Sequence, residues 1–155
     1  MRGVVQRVSA SRGFARVAPY VVPELDRGVH RLTGGRVMLS GLMLPSLVLT
    51  ARGARSGVAR RTPLACLPEG GGAAGWLLVG SNFGRVPHPA WTANLLAHPD
   101  AVVTWHGTDV PVTARLLTGA ERDTAWRSLV GLWPPYAVYQ ERVERELRVF
   151  RLVRR

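Results

Sequence analysis

The sequence contains no lysine and very little cysteine. All 21 of its basic residues are arginine, which excludes chemistry that depends on a lysine Schiff base. Cys66 is the only cysteine, so neither an internal disulfide nor a cysteine metal cluster can form. A single thiol without a partner is typical of a reducing compartment, and we expect a cytoplasmic protein.

Long apolar runs are absent as well. Residues 1–18 carry an arginine every four or five positions, so they lack the apolar run of roughly 7 to 15 residues that marks a signal peptide. The longest apolar stretch covers residues 37–50 and is interrupted by small or turn-forming residues. It is too short and too broken to span a bilayer.

Acidic residues are scarce relative to basic ones. The 155 residues include 10 acids and carry a net charge of +11, and 46% of them are hydrophobic. Length and composition fit one globular domain with a core of its own. The charge suggests nucleic acid, an acidic membrane surface or an anionic small molecule as a partner. Arginine suits phosphate and carboxylate, although a GC-rich genome would produce the same arginine bias.

Apolar runs and turn residues predict a mainly β fold with helices (α+β). Apolar spacing predicts a helix over residues 22–33, flanking prolines predict one over 89–97, and a capping box of Thr118 and Glu121 predicts a third. Residues 140–147 are expected to add a further helical turn or two. Strand-like runs cover residues 46–50, 62–67, 76–81, 101–106, 110–117 and 147–153. About six antiparallel strands favour a barrel with helices packed outside it.

A stretch rich in arginine and glycine, TARGARSGVARRTPL, covers residues 50–64. Gly53 and Gly57 would let the main chain approach a ligand closely, and Ser56 and Thr62 add hydroxyl donors. Arginine can hold phosphate or carboxylate through paired hydrogen bonds. On this pattern alone, an anion site and a solvated basic loop both remain open. The four arginines are Arg52, Arg55, Arg60 and Arg61.

Two further segments combine polar and aromatic residues. GSNFGRVPHPAWTANLLAHPD, residues 80–100, leads from a strand end to a helix start, a natural place for a phosphate. It places Trp91 and Asn94 on one helix face, although Trp91 alone would usually be a core aromatic. Trp133, Tyr136 and Tyr139 recur every three residues beside two prolines. That stripe is either core or the wall of a substrate pocket that offers a proton donor.

Several other catalytic patterns are missing from the sequence. The four histidines do not form a metal constellation, no GxSxG motif supports a hydrolase triad, and no GxGxxG motif follows a strand. No recognition helix or aromatic-basic repeat supports nucleic-acid binding. We therefore predict no metal site.

Together the three segments resemble the deazaflavin-dependent nitroreductase family of actinobacteria, whose enzymes use the reduced 8-hydroxy-5-deazaflavin coenzyme F-420. The family pattern of a leucine–threonine strand, GRKSG and RxxPL corresponds here to LTARGARSGVARRTPL. The pattern SxGG, HPAW, NLxAxP corresponds to SNFGRVPHPAWTANLLAHPD, and YPPYxxY corresponds to WPPYAVY. The similarity extends over roughly residues 20–153, in the same order and with similar spacing.

The resemblance implies a split β-barrel related to flavin-binding reductases, with the arginine loop holding the anionic phosphodiester and polyglutamate end of the coenzyme. It implies an oxidoreductase that transfers hydride from reduced F-420 to a quinone, enone or nitroaromatic. The implied catalytic residues are Tyr136, Tyr139 and Trp133. The implied cofactor-binding residues are Arg52, Ala54, Arg55, Ser56, Arg60, Arg61, Thr62, Pro63, Leu64, Ala65, Val79, Gly80, Ser81, Asn82, Ala90, Trp91, Thr92, Ala93, Asn94 and Tyr136.

Some positions depart from the family pattern. Ala54 replaces a usual arginine, although Arg52 could supply that charge from two residues earlier. Ala65 lies where some members have a pocket tyrosine, Phe83 replaces one of two paired glycines, and Trp133 replaces the first tyrosine of the aromatic motif. Because most of these changes surround the acceptor pocket, they bear on nitroimidazole reduction more than on cofactor binding.

Other interpretations stay open at this point. They are an FMN-dependent reductase on the same barrel, a cofactor-binding protein without turnover, and a nucleic-acid-binding module. We interpret residues 19–155 as one domain, monomeric or homodimeric, and residues 1–18 as a basic arm or short helix. Such an arm could lie on an acidic membrane surface, or it could be mobile or cover the barrel.

Overall fold

The computed structural model describes residues 44–155. The helix predicted over residues 22–33 and the basic arm of residues 1–18 lie outside this range. Within these described residues, seven antiparallel strands form one sheet, with three α-helices beside it. The strands are β1 (Ser46–Arg52), β2 (Ala59–Ala65), β3 (Leu67–Glu69), β4 (Gly75–Gly80), β5 (Asp100–Trp105), β6 (Thr108–Leu116) and β7 (Arg148–Arg154). The helices are α1 (Ala90–Ala97), α2 (Gly119–Leu132) and α3 (Pro135–Glu141).

The strand order β2-β1-β5-β6-β7-β4-β3 shows how the sheet curls. β2 and β3 lie at opposite edges of the sheet, yet only Cys66 separates them in the sequence. The two edges must therefore approach each other at Cys66, whose amide donates a 2.8 Å hydrogen bond to the carbonyl of Pro45. This curled antiparallel sheet confirms the predicted barrel. The single strand predicted over residues 62–67 was wrong, because a one-residue break carries no turn signal.

Strand β4 is buried on both of its faces. Along β4, Trp76 and Leu78 belong to the core inside the barrel, whereas Leu77 and Val79 belong to a second core under the helices. A strand covered on both sides has a continuous apolar sequence, which explains the run WLLV. Helix α1 adds two buried side chains to the interior core, and α2 and α3 cover the opposite face.

Two details of the predicted helices were wrong. The side chain of Thr118 makes no capping hydrogen bond. The carboxylate of Glu121 binds Arg115 and Arg151 rather than the helix terminus, so neither half of the predicted capping box is present. The helical turns predicted over residues 140–147 end at Glu141, since the segment beyond it turns back toward the barrel. Helix α1, by contrast, begins after Pro89 as predicted. Between residues 44 and 155, no helix is long and apolar enough to cross a membrane.

Candidate functional site

The arginine-rich stretch forms the β1–β2 hairpin, with residues 53–58 as its tip. The amide of Gly53 donates to the carbonyl of Val58 (2.8 Å), and the amide of Gly57 donates to the carbonyl of Gly53 (2.9 Å). Gly57 has a φ of 68°, a conformation that glycine adopts readily. The hydroxyl of Ser56 accepts a 3.2 Å hydrogen bond from the amide of Val58. Gly57 and Ser56 therefore shape the tip.

The register of the hairpin distributes its arginines over two faces. Arg60 lies opposite Ala51, which is buried in the interior core, so Arg60 lies on the inner face of the sheet. Arg61 lies opposite Thr50, on the same outer face as Arg52. All four arginines are exposed, and none takes part in an ion pair between described residues.

The hairpin tip docks on helix α1 through one hydrogen bond. The amide of Ala54 donates to Oδ1 of Asn94 at 2.9 Å. This contact brings residues 54–56 beside residues 90–94, two segments that the resemblance places in one cofactor site. Because the donor is a main-chain amide, alanine at position 54 makes the contact as well as arginine would.

The end of β4 lies directly against the first turn of α1. A Cβ atom on Gly80 would approach Cγ2 of Thr92 to 2.6 Å, so only glycine allows this packing. The hydroxyl of Thr92 donates to the carbonyl of Pro89 (2.7 Å) and accepts from Nη1 of Arg148 (3.0 Å). The predicted runs 79–82 and 90–94 are therefore adjacent, and α1 lies between the strand end and the hairpin tip.

Residues 81–89 link β4 to α1, and their first part has an unusual backbone. Asn82 and Phe83 have φ of 48° and 54°, the left-handed region that side chains other than glycine rarely adopt. The amide nitrogen of the Asn82 side chain donates to the carbonyl of Pro87 (2.9 Å). The Phe83 ring packs edge-on against Tyr139, with centroids 6.0 Å apart. Phe83 therefore connects this linker to Tyr139 on α3.

Arg145, which lies between α3 and β7, also holds this linker. Its guanidinium donates to four main-chain carbonyls at 2.8 to 3.1 Å, and Nη1 lies 3.1 Å from Nδ1 of His88. Since arginine can only donate, Nδ1 of His88 accepts and its proton lies on Nε2. Partial burial lowers the pKa of His88, and the nearby Arg148 and Arg145 lower it further. His88 is thus neutral around pH 7.

The predicted catalytic residues Trp133, Tyr136 and Tyr139 are buried in the second core. Burial raises the pKa of Tyr136 well above its ordinary value, with smaller contributions from Tyr139 and Cys66. The Tyr136 hydroxyl therefore stays protonated across the physiological range. Ala65, at the end of β2, packs against this cluster, so the cluster adjoins the strand that carries Arg61.

The contacts of Ala54 and Gly80 bring two of the sequence-predicted segments against α1, whereas Trp133, Tyr136, Tyr139 and Ala65 lie in or against the second core. Trp91 lies in the barrel core against Phe150, with ring centroids 5.8 Å apart, and Leu64 packs against the same core. Sequence reasoning missed Arg145 and Arg148. Arg148 pairs with Gly80 in the β4–β7 register, which only a knowledge of strand pairing reveals. Residues 44–155 contain no group of three or more metal-ligating side chains suited to hold an ion.

Comparisons with known proteins agree with this architecture. Residues 25–153 match the model of a family described as F-420H(2)-dependent quinone reductase. One solved structure, described as an F-420-H(2) dependent reductase, is 36% identical, with a TM-score of 0.63, over 70% of this chain and 93% of its own. A second, described as a domain-swapped dimer, is 32% identical, with a TM-score of 0.65, over 81% and 94% of the two chains.

A more distant structure shares the fold alone. The haem storage protein HutZ from Vibrio cholerae is 9% identical, with a TM-score of 0.51, over 84% of this chain and 90% of its own. The barrel is therefore shared with proteins of different function, and only the residues around it can identify the chemistry.

Proposed function

This chain belongs to the F-420H(2)-dependent quinone reductase family, and from that we propose that the surroundings of α1 hold the reduced deazaflavin and present it to a quinone-type acceptor. The observation that carries the proposal is the docking of the hairpin tip on α1, through the amide of Ala54 and the side chain of Asn94. Three segments that are far apart in sequence meet there: residues 54–56, 79–82 and 90–94.

The charges around the hairpin fit the anionic end of such a coenzyme. Arg55 at the tip and Arg60 on the inner face are exposed, and no described acidic residue neutralises them. Exposed guanidinium groups without acidic neighbours attract phosphate and carboxylate and bind them through paired hydrogen bonds. Arg52 and Arg61, on the outer face, add to the positive potential along the edge strand.

The aromatic cluster suits the acceptor side of the reaction. When bound, the reduced coenzyme supplies the hydride. Tyr136 holds a proton on its hydroxyl in a site where burial keeps that proton in place. A hydroxyl of this kind can donate a hydrogen bond to an acceptor oxygen as negative charge develops there. Tyr139 and Trp133 form an apolar wall that excludes water beside it.

The acceptor proposed first is a quinone, with enones and nitroaromatics as further candidates. The family description names quinones. Ala65, where some relatives of the nitroreductase pattern have a tyrosine, is a small side chain against the aromatic cluster. The rings of Trp126 and Tyr139 both lie against Tyr136, and aromatic rings pack well against a flat apolar ligand.

The first test is a fluorescence titration of the purified protein with oxidised F-420 and, in parallel, with FMN. We expect saturable binding of F-420 that weakens when Arg55 and Arg60 are both changed to glutamine. Arg127→Gln, which removes an exposed arginine from α2, is the matched control and should leave the affinity unchanged. Preference for FMN, or binding of neither compound, would contradict the proposal. Turnover with reduced F-420 then compares a quinone with a nitroaromatic acceptor.

Location and assembly are separate proposals. We infer a cytoplasmic protein from the single cysteine, Cys66, which is buried. The assembly is a monomer or a homodimer, which light scattering would distinguish; one solved relative is described as a domain-swapped dimer. Contact of residues 1–18 with an acidic membrane surface stays a prediction. Sedimentation with anionic vesicles, with and without those residues, tests it, and equal binding would contradict it.

A further inference from the structure

We propose that Arg145 is a positioning residue: its guanidinium fixes the shape of residues 80–86, so that the main chain at the end of β4 is preformed for its ligand. The identity of this ligand, the deazaflavin, rests on the proposed function. The shape of the linker can be tested independently of it.

The geometry of the contact is that of a clamp. Nε of Arg145 donates to the carbonyl of Val86 (2.8 Å), and Nη1 donates to the carbonyl of Gly80 (3.1 Å). Nη2 donates to the carbonyls of Ser81 and Arg85, both at 3.0 Å. Two acceptors lie before the turn at residues 82–84 and two after it. One planar guanidinium therefore ties both limbs of the turn together.

The clamp also determines which main-chain amides point away from Arg145. In a trans peptide the C=O and N–H point in opposite directions, and the described residues contain no cis peptide. The carbonyls of Gly80, Ser81 and Arg85 point at Arg145, so the amides of Ser81, Asn82 and Val86 point away from it. A set of outward-facing amides provides partial positive charge for an anionic or carbonyl-bearing ligand.

The contacts of the Arg145 guanidinium with described residues indicate that it shapes the main chain rather than neutralising a carboxylate. No described carboxylate forms an ion pair with Arg145; its guanidinium instead contacts main-chain oxygens and His88. Lysine would keep the positive charge, but its three donors radiate from one atom and cannot reproduce a planar fork. The Arg145→Lys substitution therefore separates a role in positioning from a role in electrostatic attraction.

The segment that carries Arg145 is itself held in place. Nε2 of Gln140, near the end of α3, donates to the carbonyl of Arg145 (2.8 Å), and Oε1 of Gln140 accepts from the amide of Leu147 (3.0 Å). The clamp therefore has a support behind it. Gln140→Ala provides a second, milder variant, which loosens the backbone of Arg145 and leaves its guanidinium intact.

The experiment compares Arg145→Lys, Arg145→Gln and Gln140→Ala with the wild-type protein. Arg154→Gln is the matched control, because Arg154 also donates from Nε to a loop carbonyl, that of Gly72 (2.8 Å), but before β4 rather than after it. Four quantities are measured well below the unfolding temperature. They are hydrogen exchange of the amides of Gly84 and Arg85, which donate to the carbonyls of Ser81 and Asn82 at 3.0 Å within the turn, the Kd for oxidised F-420, and kcat and KM for the reduced coenzyme.

We expect both Arg145 variants to exchange these amides about tenfold faster or more, and to raise Kd and KM by about tenfold, which corresponds to about 1.4 kcal/mol of binding free energy. Because Arg145 acts through the loop, kcat should change less than KM. Gln140→Ala should shift the same quantities in the same direction by a smaller factor. Arg154→Gln should lower only the unfolding temperature.

Several results would overturn the inference. Unchanged exchange in the linker would show that Arg145 does not hold it. Restoration of exchange and affinity by lysine would assign the effect to charge alone, and an equal rise of Kd in Arg154→Gln would assign it to general destabilisation. If the Arg145 variants do not fold, Gln140→Ala decides by the same measurements. A wild-type protein that does not bind F-420 would contradict the proposed function, whereas the exchange data would still test the clamp.

Discussion

The main-chain amide of Ala54 and the side-chain oxygen of Asn94 are joined by a 2.9 Å hydrogen bond across forty residues of sequence. This bond fixes the tip of an arginine-rich hairpin on the helix that follows the end of β4. It does not depend on the side chain at position 54, where the resemblance to the nitroreductase family would place an arginine. The contact needs only the backbone of residue 54, and the charges come from neighbouring positions.

Replacing Asn94 should loosen the hairpin tip. Asn94→Ala removes the acceptor, and a hydrogen bond of about 1 kcal/mol corresponds to a factor of about five in affinity. We expect the Kd for oxidised F-420 to rise by about that factor in a fluorescence titration. Asn94→Asp is the informative control: it keeps an acceptor for Ala54 but adds a negative charge, so it should preserve stability and still weaken binding. A Kd unchanged by both substitutions would show that the hairpin tip is not part of the F-420 site.

Phe83 should show the strain of its left-handed backbone in a comparison of two substitutions. This conformation destabilises the folded state by roughly 1–2 kcal/mol for a residue with a Cβ atom. The ring contact with Tyr139 stabilises it by roughly 0.5–1.5 kcal/mol. Phe83→Ala loses the ring and keeps the strain, whereas Phe83→Gly loses both. We therefore expect Phe83→Gly to be the more stable of the two by about 1 kcal/mol in urea unfolding.

Ala120, in the first turn of α2, provides the matched control for that comparison. Glycine lowers helix stability by about 1 kcal/mol relative to alanine. At position 120 the glycine variant should therefore be less stable than the protein with alanine, whereas at position 83 it should be more stable. If Phe83→Ala were as stable as Phe83→Gly, the backbone at residue 83 would not be strained.

Tyr136→Phe tests the proton donor. We expect kcat to fall by between about tenfold and the roughly hundredfold that marks the low end of general-acid contributions, while the Kd for F-420 stays within about twofold. Tyr139→Phe changes a neighbouring buried tyrosine and should have less effect. Because burial raises the pKa of Tyr136 above its ordinary value near 10, its ionisation should not reduce the rate between pH 8 and about pH 10. An unchanged kcat would show that solvent, rather than Tyr136, supplies the proton to the acceptor.

Much of the barrel could be predicted from the sequence, because each strand has its own local pattern. The run at residues 76–80 is apolar at every position except the final glycine, and the turn at residues 106–107 separates two apolar runs. The break at Cys66 could not be predicted. It depends on the curl of the whole sheet, which places two adjacent strands at opposite edges, and no property of residues 65–67 records that.

The site was predictable only in part for a similar reason. The arginines of the hairpin stand out by their residue type, so the pattern alone points to an anion. Arg145 lies in the charged run QERVEREL, where arginine is typical of a solvated helix. Its partners are main-chain oxygens 59 to 65 residues away, and a carbonyl has no residue type that a pattern could reveal.

Glu121 should make stability depend on pH at the acidic end. It binds Arg115 through both carboxylate oxygens, and it binds Nη1 of Arg151 at 3.0 Å. The hydrogen bonds from Arg115 lower the pKa of Glu121 below its ordinary value near 4.5. The stabilisation is therefore complete above pH 4.5 and is lost as the pH falls through the lower pKa of the folded state.

We expect Glu121→Gln to flatten the decline of the unfolding temperature below about pH 4.5. Asp123→Asn changes an exposed carboxylate on the same helix and is the control. A parallel decline in the wild type and Glu121→Gln would show that these ion pairs add nothing to the folded state. High salt should reduce the difference, since the pairs are partly exposed.

His88 should give the linker a pH dependence nearer neutrality. Its neutral ring accepts from Arg145, and partial burial, Arg148 and Arg145 together lower its pKa below 6.5. The unfolded chain therefore takes up a proton first, so stability is unaffected above pH 6.5 and falls as the pH drops from 6.5 to the lower pKa of the folded state. Protonation of Nδ1 would place two donors face to face and weaken the clamp. We expect the protection of the Gly84 and Arg85 amides, measured after correction for the intrinsic pH dependence of hydrogen exchange, to fall over this window in the wild type but not in His88→Gln. His98→Gln, at the other end of α1, should behave as the wild type, and identical pH profiles for all three proteins would exclude His88 from the clamp.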